Sequence, residues 1–340
     1  MSAAERILIS LADLNALAVR ALVAARTSPA NARAVAAALV AAEADGIPSH
    51  GLSRLPAYAD QAISGKVDGL AVPEAAFSAP AVLRVDAKAG FAYPALALGL
   101  DKGVPRTRET GMLAIAIRGS HHFGVAGHVA ERAANQGLIA LVLGNTPAAM
   151  AAWGGRRPLF GTNPLAFACP RAAAPPLVVD LALSKVARGK IMIKAGADES
   201  IPEGWALDRD GRPTSDAKAA LLGSLLPIGD AKGSALALMV EVLAGALVGA
   251  NFGFEASSFF VADGPPPRVG QLLILFDPAC FSGESFAVRL EMLLSAMAEE
   301  AGVRIPGARR FEVRARAERQ GITLPAALHR DLVNRAEAVL

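Results

Sequence analysis

From Ala81 onward the chain alternates short apolar runs with longer amphipathic stretches, a pattern that restricts it to layered α/β architectures. VLRVD (82–86), MLAIAI (112–117), Leu138 to Leu143, LAFAC (165–169), LVVDLAL (177–183) and QLLILF (271–276) have the length and composition of buried strands. Pro94 to Arg108 and Val125 to Asn135 read as helices between them, the second stopping at Gly137. Asp263 to Gly270 is a Pro/Gly-rich loop.

Both chain ends have a different texture. Ser10 and Asp13 form an S-x-x-D cap ahead of Leu11, Leu14, Leu17, Val19 and Leu22. Ser28 caps a second helix with Pro29 at its first position, which runs until Gly46, and a third helix follows Pro56 and ends near Gly65. This opening block reads as all helix, and charged helices return from Glu284 onward. The 340 residues are enough for about two domains. Ser234 to Ala250 is the most apolar long stretch, but Glu241 at its centre and its length argue for a buried helix rather than a membrane span.

Charge and composition exclude several classes of function. Lys+Arg 34 against Asp+Glu 31 leaves +3, too weak a field for a nucleic-acid or membrane surface, so the expected partner is a small molecule. The 53% hydrophobic and 19% charged residues describe a folded chain. Two cysteines, Cys169 and Cys280, provide neither a disulfide framework nor a zinc site, and with Glu5, Arg6 and Asp13 interrupting any leader-like run, the expected location is the cytoplasm.

No G-x-G-x-x-G and no P-loop follows any strand, so a nucleotide would have to be held another way. No metal is expected, because His122 and His128 are six apart and no H-E-x-x-H occurs. Asp45 to Arg54 (DGIPSHGLSR) sets Ser49, His50 and Arg54 in one inter-helical turn. There an imidazole can move a proton and a guanidinium can clamp a carboxylate, although a cap, a turn filler and a surface charge describe the same residues. Gly119 to Gly124 (GSHHFG), carrying His121 and His122, ends a buried strand, where α/β sheets place ligands. Trp153 to Pro164 and Leu226 to Gly233 are turns suited to close backbone approach, with Lys232 at a helix start that is either a phosphate contact or a plain helix start.

Together these segments resemble the malate/L-lactate dehydrogenase family of the second, non-Rossmann type, which includes sulfolactate dehydrogenases and piperideine/pyrroline-2-carboxylate reductases. The resemblance runs through DGIPSHGLSRLPAY (45–58), GSHHFGVAGH (119–128), GNTPAAMAAWGG (144–155), LFGTNPLAFACP (159–170), VVDLALSKVARGK (178–190), IPEGWALD (201–208), LLPIGDAKGSALALMVE (225–241) and RIPGARR (304–310). It implies an α/β fold with a helical domain over 1–75, completed by 284–340, and a mixed-sheet NAD(P)-binding domain over 76–283. It also implies a homodimer that transfers a hydride between NAD(P)H and C2 of a small 2-oxo or 2-hydroxy acid.

By position in the resemblance, His50 is the proton donor with Ser49 orienting it, Arg54 is the carboxylate clamp, and His122 is a second candidate acid/base. Thr146, Thr162, Asn163, Asp180, Leu181, Ala182, Ser184, Lys232, Gly233, Pro306 and Gly307 match cofactor-lining positions. The imine reductases of the family use a carboxylate within the segment matching Ala187 to Lys190; here Lys190 is taken as that position, which favours an oxo acid over a cyclic imine. Ala308 stands where an acidic residue is usual after Pro-Gly, with Arg309 and Arg310 beside it, which tips the expected cofactor towards NADPH.

Overall fold

A computed structural model describes residues 5–338; the first four residues of the segment read above for a leader, and the last two of the closing helical region, lie outside the described residues. The chain opens with β1 (Arg6–Ile9), α1 (Leu11–Ala24), α2 (Pro29–Ala44) and α3 (Leu55–Ser64). It continues through β2 (Glu74–Ala79), β3 (Val82–Asp86), α4 (Ala92–Thr110), β4 (Met112–Ser120), α5 (Ala126–Ala134), β5 (Ile139–Gly144), β6 (Met150–Ala151), β7 (Pro158–Phe160), β8 (Leu165–Cys169) and β9 (Leu177–Leu181). Then follow α6 (Arg188–Gly196), β10 (Ala206–Leu207), β11 (Pro213–Thr214), α7 (Ala217–Leu222), β12 (Ser224–Leu225), α8 (Ala231–Glu241) and β13 (Val269–Phe276). The closing elements are α9 (Pro278–Ser282), α10 (Ser285–Ala298), α11 (Ala308–Gln320), β14 (Ile322–Pro325) and α12 (Ala326–Glu337).

The six apolar runs read from the sequence, joined at one edge by β2, which was not anticipated as a strand, form one mixed sheet in the order β2-β3-β4-β13-β5-β8-β9. Among the described strands of this sheet only β3 and β4 pair in parallel; β13 arrives from far along the chain and inserts antiparallel between β4 and β5. Helices α4 and α5 cover one face, burying Leu96, Leu100, Val104, Val129 and Ala130 against Leu113, Ile115, Ile117 and Leu273. A second cluster packs Leu14, Leu22, Leu39 and Tyr58 from the start of the chain with Leu324 and Leu332 from its end. Burial of this kind is worth roughly 25 cal/mol per Å² of apolar surface, which is what draws the two ends together.

The helix starts follow from their caps. Ser10 Oγ accepts from the Asp13 amide at 3.1 Å and Ser28 Oγ from that of Asn31 at 3.3 Å, while Gly65, with φ of 80°, ends α3.

Two expectations need correction. The opening block is not all helix, because β1 pairs antiparallel with β14. That pairing leaves no local signal, since the partner lies more than 300 residues away. Nor is Ser234 to Ala250 a fully buried helix. It is α8 followed by a π-helical turn over Val242–Ala246, with Ala237, Val240 and Ala244 inside and Leu236, Leu238, Val242 and Leu247 exposed. A composition apolar on nearly every side cannot tell which face of a helix is covered. A small sheet, β11-β10-β12-β6-β7, was also not anticipated, its strands being too short to show periodicity. Among the described residues no helix is long and apolar enough to cross a membrane.

Gly233 shows how tightly α8 sits on the loop before it: a Cβ there would lie 1.7 Å from the Ile228 carbonyl oxygen, whereas one at Gly196 would meet nothing within 4 Å. Gly233→Ala should therefore lower stability by about 1–3 kcal/mol through overpacking. Gly196→Ala should be neutral or raise stability by up to about 1 kcal/mol. Denaturant unfolding midpoints of the two variants check this, and equal midpoints would refute it.

Candidate active site

A cavity of about 320 Å³ opens where the α2–α3 turn, the end of β4, the end of β9 and the start of α6 converge. Pro48–His50 and Leu52–Arg54 form two successive 3-10 turns that carry Ser49, His50 and Arg54 to its wall. Gly51 permits this path: a Cβ there would meet the Glu43 carboxylate at 2.4 Å, the same carboxylate that accepts from the Leu52 amide at 2.8 Å. Across the cavity, β4 ends at Ser120 and delivers His121 and His122 into the interior.

The His50 and His122 rings stack with centroids 5.4 Å apart and planes 27° apart. Ser49 Oγ lies 3.1 Å from His50 Nδ1, and His122 Nδ1 is hydrogen-bonded to the Tyr58 hydroxyl. Burial, then the Arg54 charge, lowers the His50 pKa from 6.5 to about 4; the same causes, followed by His50 itself, hold His122 well below the ordinary histidine range. Both imidazoles are therefore neutral near pH 7.

Arg54 Nε donates to the Ser49 carbonyl at 2.8 Å and the guanidinium lies 4.4 Å over the Phe260 ring. Its terminal nitrogens have no protein partner among the described residues and are available to a carboxylate. Arg188, the first residue of α6, also lines the cavity; it donates to the Leu221 carbonyl at 3.0 Å, and burial lowers its pKa. Neither arginine pairs with a carboxylate among the described residues.

The roof is Phe259 and Phe260, with Phe259 centred 5.1 Å from the His122 ring. Their loop is clamped from α3 and the residues after it. Lys66, 2% exposed, donates to the carbonyls of Ser258, Val261 and Asp263, and Gln61 donates to that of Phe259.

Towards β9, Asp180 accepts from the Gly127 amide at 3.0 Å and from Arg310 Nη2 at 3.1 Å. Arg310 Nη1 is buried without a partner. Thr146 and Thr162 line the same end, and a Cβ at Gly161 would fall 2.1 Å from Thr146 Oγ1. Arg310 also lines a groove of about 1080 Å³ that includes Arg304, Gly307, Arg309 and Arg316. An orphaned guanidinium nitrogen joining a narrow cavity to a basic groove fits an elongated anionic dinucleotide.

Of the residues singled out in the sequence, the structure brings Ser49, His50, Arg54, His122, Thr146, Thr162, Asp180 and Ala182 to this one cavity. Leu181 is exposed at the end of β9, and Ser184 is buried with its hydroxyl on the Val186 carbonyl. Asn163 is buried behind the wall, donating to Glu241 and the Ala237 carbonyl and accepting from the Thr146 amide. Lys232 is exposed outside the cavity, Gly233 is a packing glycine, and Gly307 lines the basic groove next to Pro306.

Lys190 requires correction: it is exposed on α6 and does not line the cavity, whereas Arg188 does. Two residues are about 200° apart around a helix, so the two side chains leave on opposite faces. Sequence reasoning passed over Arg188, Phe259, Phe260 and Tyr58. Tyr58 alone had a signal, lying four residues after Arg54 at helical spacing.

Residues 9–333 match the malate/L-lactate dehydrogenase family. A (2R)-3-sulfolactate dehydrogenase (NADP(+)) of Chromohalobacter salexigens is 54% identical over 334 residues, 98% of each chain. A Δ1-pyrroline-2-carboxylate/Δ1-piperideine-2-carboxylate reductase of Pseudomonas aeruginosa is 43% identical, over 96% of this chain and 98% of the relative. Among solved structures, Δ1-piperideine-2-carboxylate reductase from Pseudomonas syringae pvar. tomato superposes with a TM-score of 0.92 at 42% identity, covering 97% of this chain and 99% of that one.

The depressed His50 pKa has a consequence for stability. Above about pH 6.5 His50 is neutral whether folded or not; below it the unfolded chain binds a proton that the folded site refuses. Stability therefore falls as pH drops from about 6.5 until the folded site titrates near pH 4. The melting temperature of His50→Asn should decline less across that window than that of the unmodified protein. Parallel declines would show that His50 is not held neutral by the fold.

Proposed function

Because this chain belongs to the malate/L-lactate dehydrogenase family, we propose that it transfers a hydride between NADPH and C2 of a small 2-oxo or 2-hydroxy acid that carries a second anionic group. The observation that supports this reading is the pair Arg54 and Arg188, two arginines on one cavity, neither neutralised by a carboxylate. A monoanionic cyclic imine acid would satisfy only one of them, leaving the other buried and unpaired. The segment 187–190 also offers no carboxylate to a relay of the imine-reductase kind. Among dianionic acids, a 3-sulfo acid is the first choice, since it is what the 54% identical relative is named for.

The residues divide the work as follows. Arg54, braced by the Ser49 carbonyl and Phe260, takes the C1 carboxylate through two parallel hydrogen bonds; Arg188 takes the second anion. His122, its Nδ1 occupied by Tyr58, presents Nε2 to the carbonyl oxygen and delivers the proton there. His50, stacked on it and held by Ser49, fixes the ring plane and shields it from water. The roof of Phe259 and Phe260 keeps water from the reacting carbon. Thr146, Thr162, Asp180 and Ala182 line the cofactor end, and Arg310, with Arg304 and Arg309 beyond it, supplies the cations that an additional phosphate on NADPH requires. When bound, the cofactor supplies or accepts the hydride.

We also read the chain as a cytoplasmic homodimer divided into a helical domain, 1–75 with 284–340, and a sheet domain, 76–283. Exposed Leu236, Leu238 and Leu247 on and after α8, and Phe281, Val288 and Met292 on α9 and α10, are the kind of apolar surface that a second copy covers.

A panel of 3-sulfopyruvate, oxaloacetate, pyruvate and piperideine-2-carboxylate, each with NADPH and NADH, tests the reading by loss of the reduced-nicotinamide absorbance. Dianionic oxo acids should exceed pyruvate in kcat/KM by about 10–100-fold, the worth of one charged hydrogen-bonded contact. Arg188→Met should remove most of that difference without changing NADPH affinity. A preference for the cyclic imine would sink the proposal in favour of the imine-reductase alternative. Independently, His122→Asn should lower kcat by roughly 10²–10⁴, and a larger loss in His50→Asn would move the proton donor to His50.

A further inference from the structure

Behind His122 two phenols are buried with their hydroxyls in line. Tyr58 is 0% exposed and Tyr93 8%. Tyr58 Oη is hydrogen-bonded to His122 Nδ1 and lies 3.3 Å from Tyr93 Oη. Gly124 makes room for this line: its φ is +68° and a Cβ there would sit 2.7 Å from Tyr93 Oη. Tyr93 in turn lines a second cavity of about 600 Å³, bordered by His128, Glu131, Arg132 and Arg314; Phe123 and Val125 border both this cavity and the first.

We infer that Tyr58 and Tyr93 are positioning residues that form a two-hydroxyl proton relay, joining His122 to the second cavity and setting which ring nitrogen carries the proton. This rests on the reading of His122 as the proton donor. Each hydroxyl has one proton, so the chain has two consistent arrangements. In one, water donates to Tyr93, Tyr93 to Tyr58 and Tyr58 to Nδ1, which leaves the proton of the neutral imidazole on Nε2, facing the substrate. In the other, every bond is reversed and Nε2 is bare. Reduction of a carbonyl needs the first arrangement and oxidation of a hydroxyl the second, so the relay serves both directions.

The step balances. As the substrate oxygen takes the Nε2 proton, Nδ1 takes that of Tyr58, Tyr58 that of Tyr93, and Tyr93 one from water in the second cavity. After product leaves, water in the first cavity protonates Nε2 and the Nδ1 proton returns along the same hydroxyls. One solvent proton is consumed per turnover, and no charge rests on the buried imidazole or phenols. That neutrality matters, because burial lowers the His122 pKa and raises that of Tyr58 to about 12, so an imidazolium or a tyrosinate is costly here.

The test is single-turnover NADPH oxidation in mixtures of H₂O and D₂O, with C4-deuterated NADPH used to confirm that the hydride step is observed. In the unmodified protein the rate should depend on the deuterium fraction along a curve that reports several protons in motion; in Tyr93→Phe it should become linear. The Tyr93→Phe rate should also fall on the order of tenfold, part of the factor a general acid contributes, while substrate KM, NADPH affinity and melting temperature hold. A linear dependence in the unmodified protein overturns the relay without any variant, as does a Tyr93→Phe rate and curve equal to those of the unmodified protein. Near-normal turnover in His122→Asn would instead overturn the reading of His122 as donor, so the two failures are distinguishable.

Discussion

Asp45, at the end of α2, is the carboxylate on which the site's assembly depends. Its side chain is 0% exposed and accepts from His128 Nε2 at 2.7 Å and from Arg314 at 2.7 and 2.9 Å, with Arg310 Nε at 3.4 Å. Burial pushes its pKa up, but the hydrogen bonds from His128 and Arg314 outweigh that and hold it below 3.8. The three donors come from α5 and α11, so this one group ties the turn bearing His50 and Arg54 to the sheet side and to the closing helices. Removing one partner from such a buried set typically costs about 3–5 kcal/mol, because the remaining charge stays buried without compensation. Asp45 thereby fastens the end of α2 to α5 and α11 beside the cavity.

The inner strands of the sheet were legible because they carry continuous apolar runs, β13, VGQLLILF, being the plainest case, whereas the exposed edge strand β2 has none. The helix limits at Ser10, Ser28 and Gly65 were legible because capping is local chemistry. The β1–β14 pairing and the two- and three-residue strands of the small sheet depend on partners that no local pattern announces. For the site, the turn with His50 and Arg54 and the strand end with His122 stood out, since proton-moving and anion-binding side chains sit there in glycine-rich loops. Lys190 was placed by its position in the resemblance, whereas the structure puts Arg188 on the cavity; the start of α6, which sets the helical phase, has no capping side chain to mark it. Lys66 and Gln61 were hidden for another reason: their role is to satisfy carbonyls of a loop nearly 200 residues away.

Those two residues show how polar groups do positional work in this fold. A lysine buried with three carbonyl oxygens loses hydration and gains no carboxylate, an arrangement that persists only if the loop it closes is worth fixing. Gln61 spans the same junction: its Nε2 holds the Phe259 carbonyl and its Oε1 lies 2.7 Å from His121 Nε2. Phe259 and Phe260 are thereby set against His122 and Arg54 by backbone bonds, not by packing alone. Asn145 and Asn163, both bonded to buried Glu241, fix the opposite wall behind Thr146 in the same way.

The electrostatic plan of the cavity follows from which charges are answered within the chain. Asp180 is taken up by the Gly127 amide and Arg310, and Asp45 by His128, Arg310 and Arg314. The imidazoles of His50 and His122 are kept neutral by burial and by Arg54. What is left unanswered on the cavity wall is positive, namely Arg54 and Arg188, with Arg310 Nη1 at the far end. An anion entering there completes pairs that the fold leaves open, while a neutral or singly charged molecule leaves at least one guanidinium desolvated without a partner. Selection among small acids can thus come from the penalty on the wrong ligand as much as from contacts with the right one.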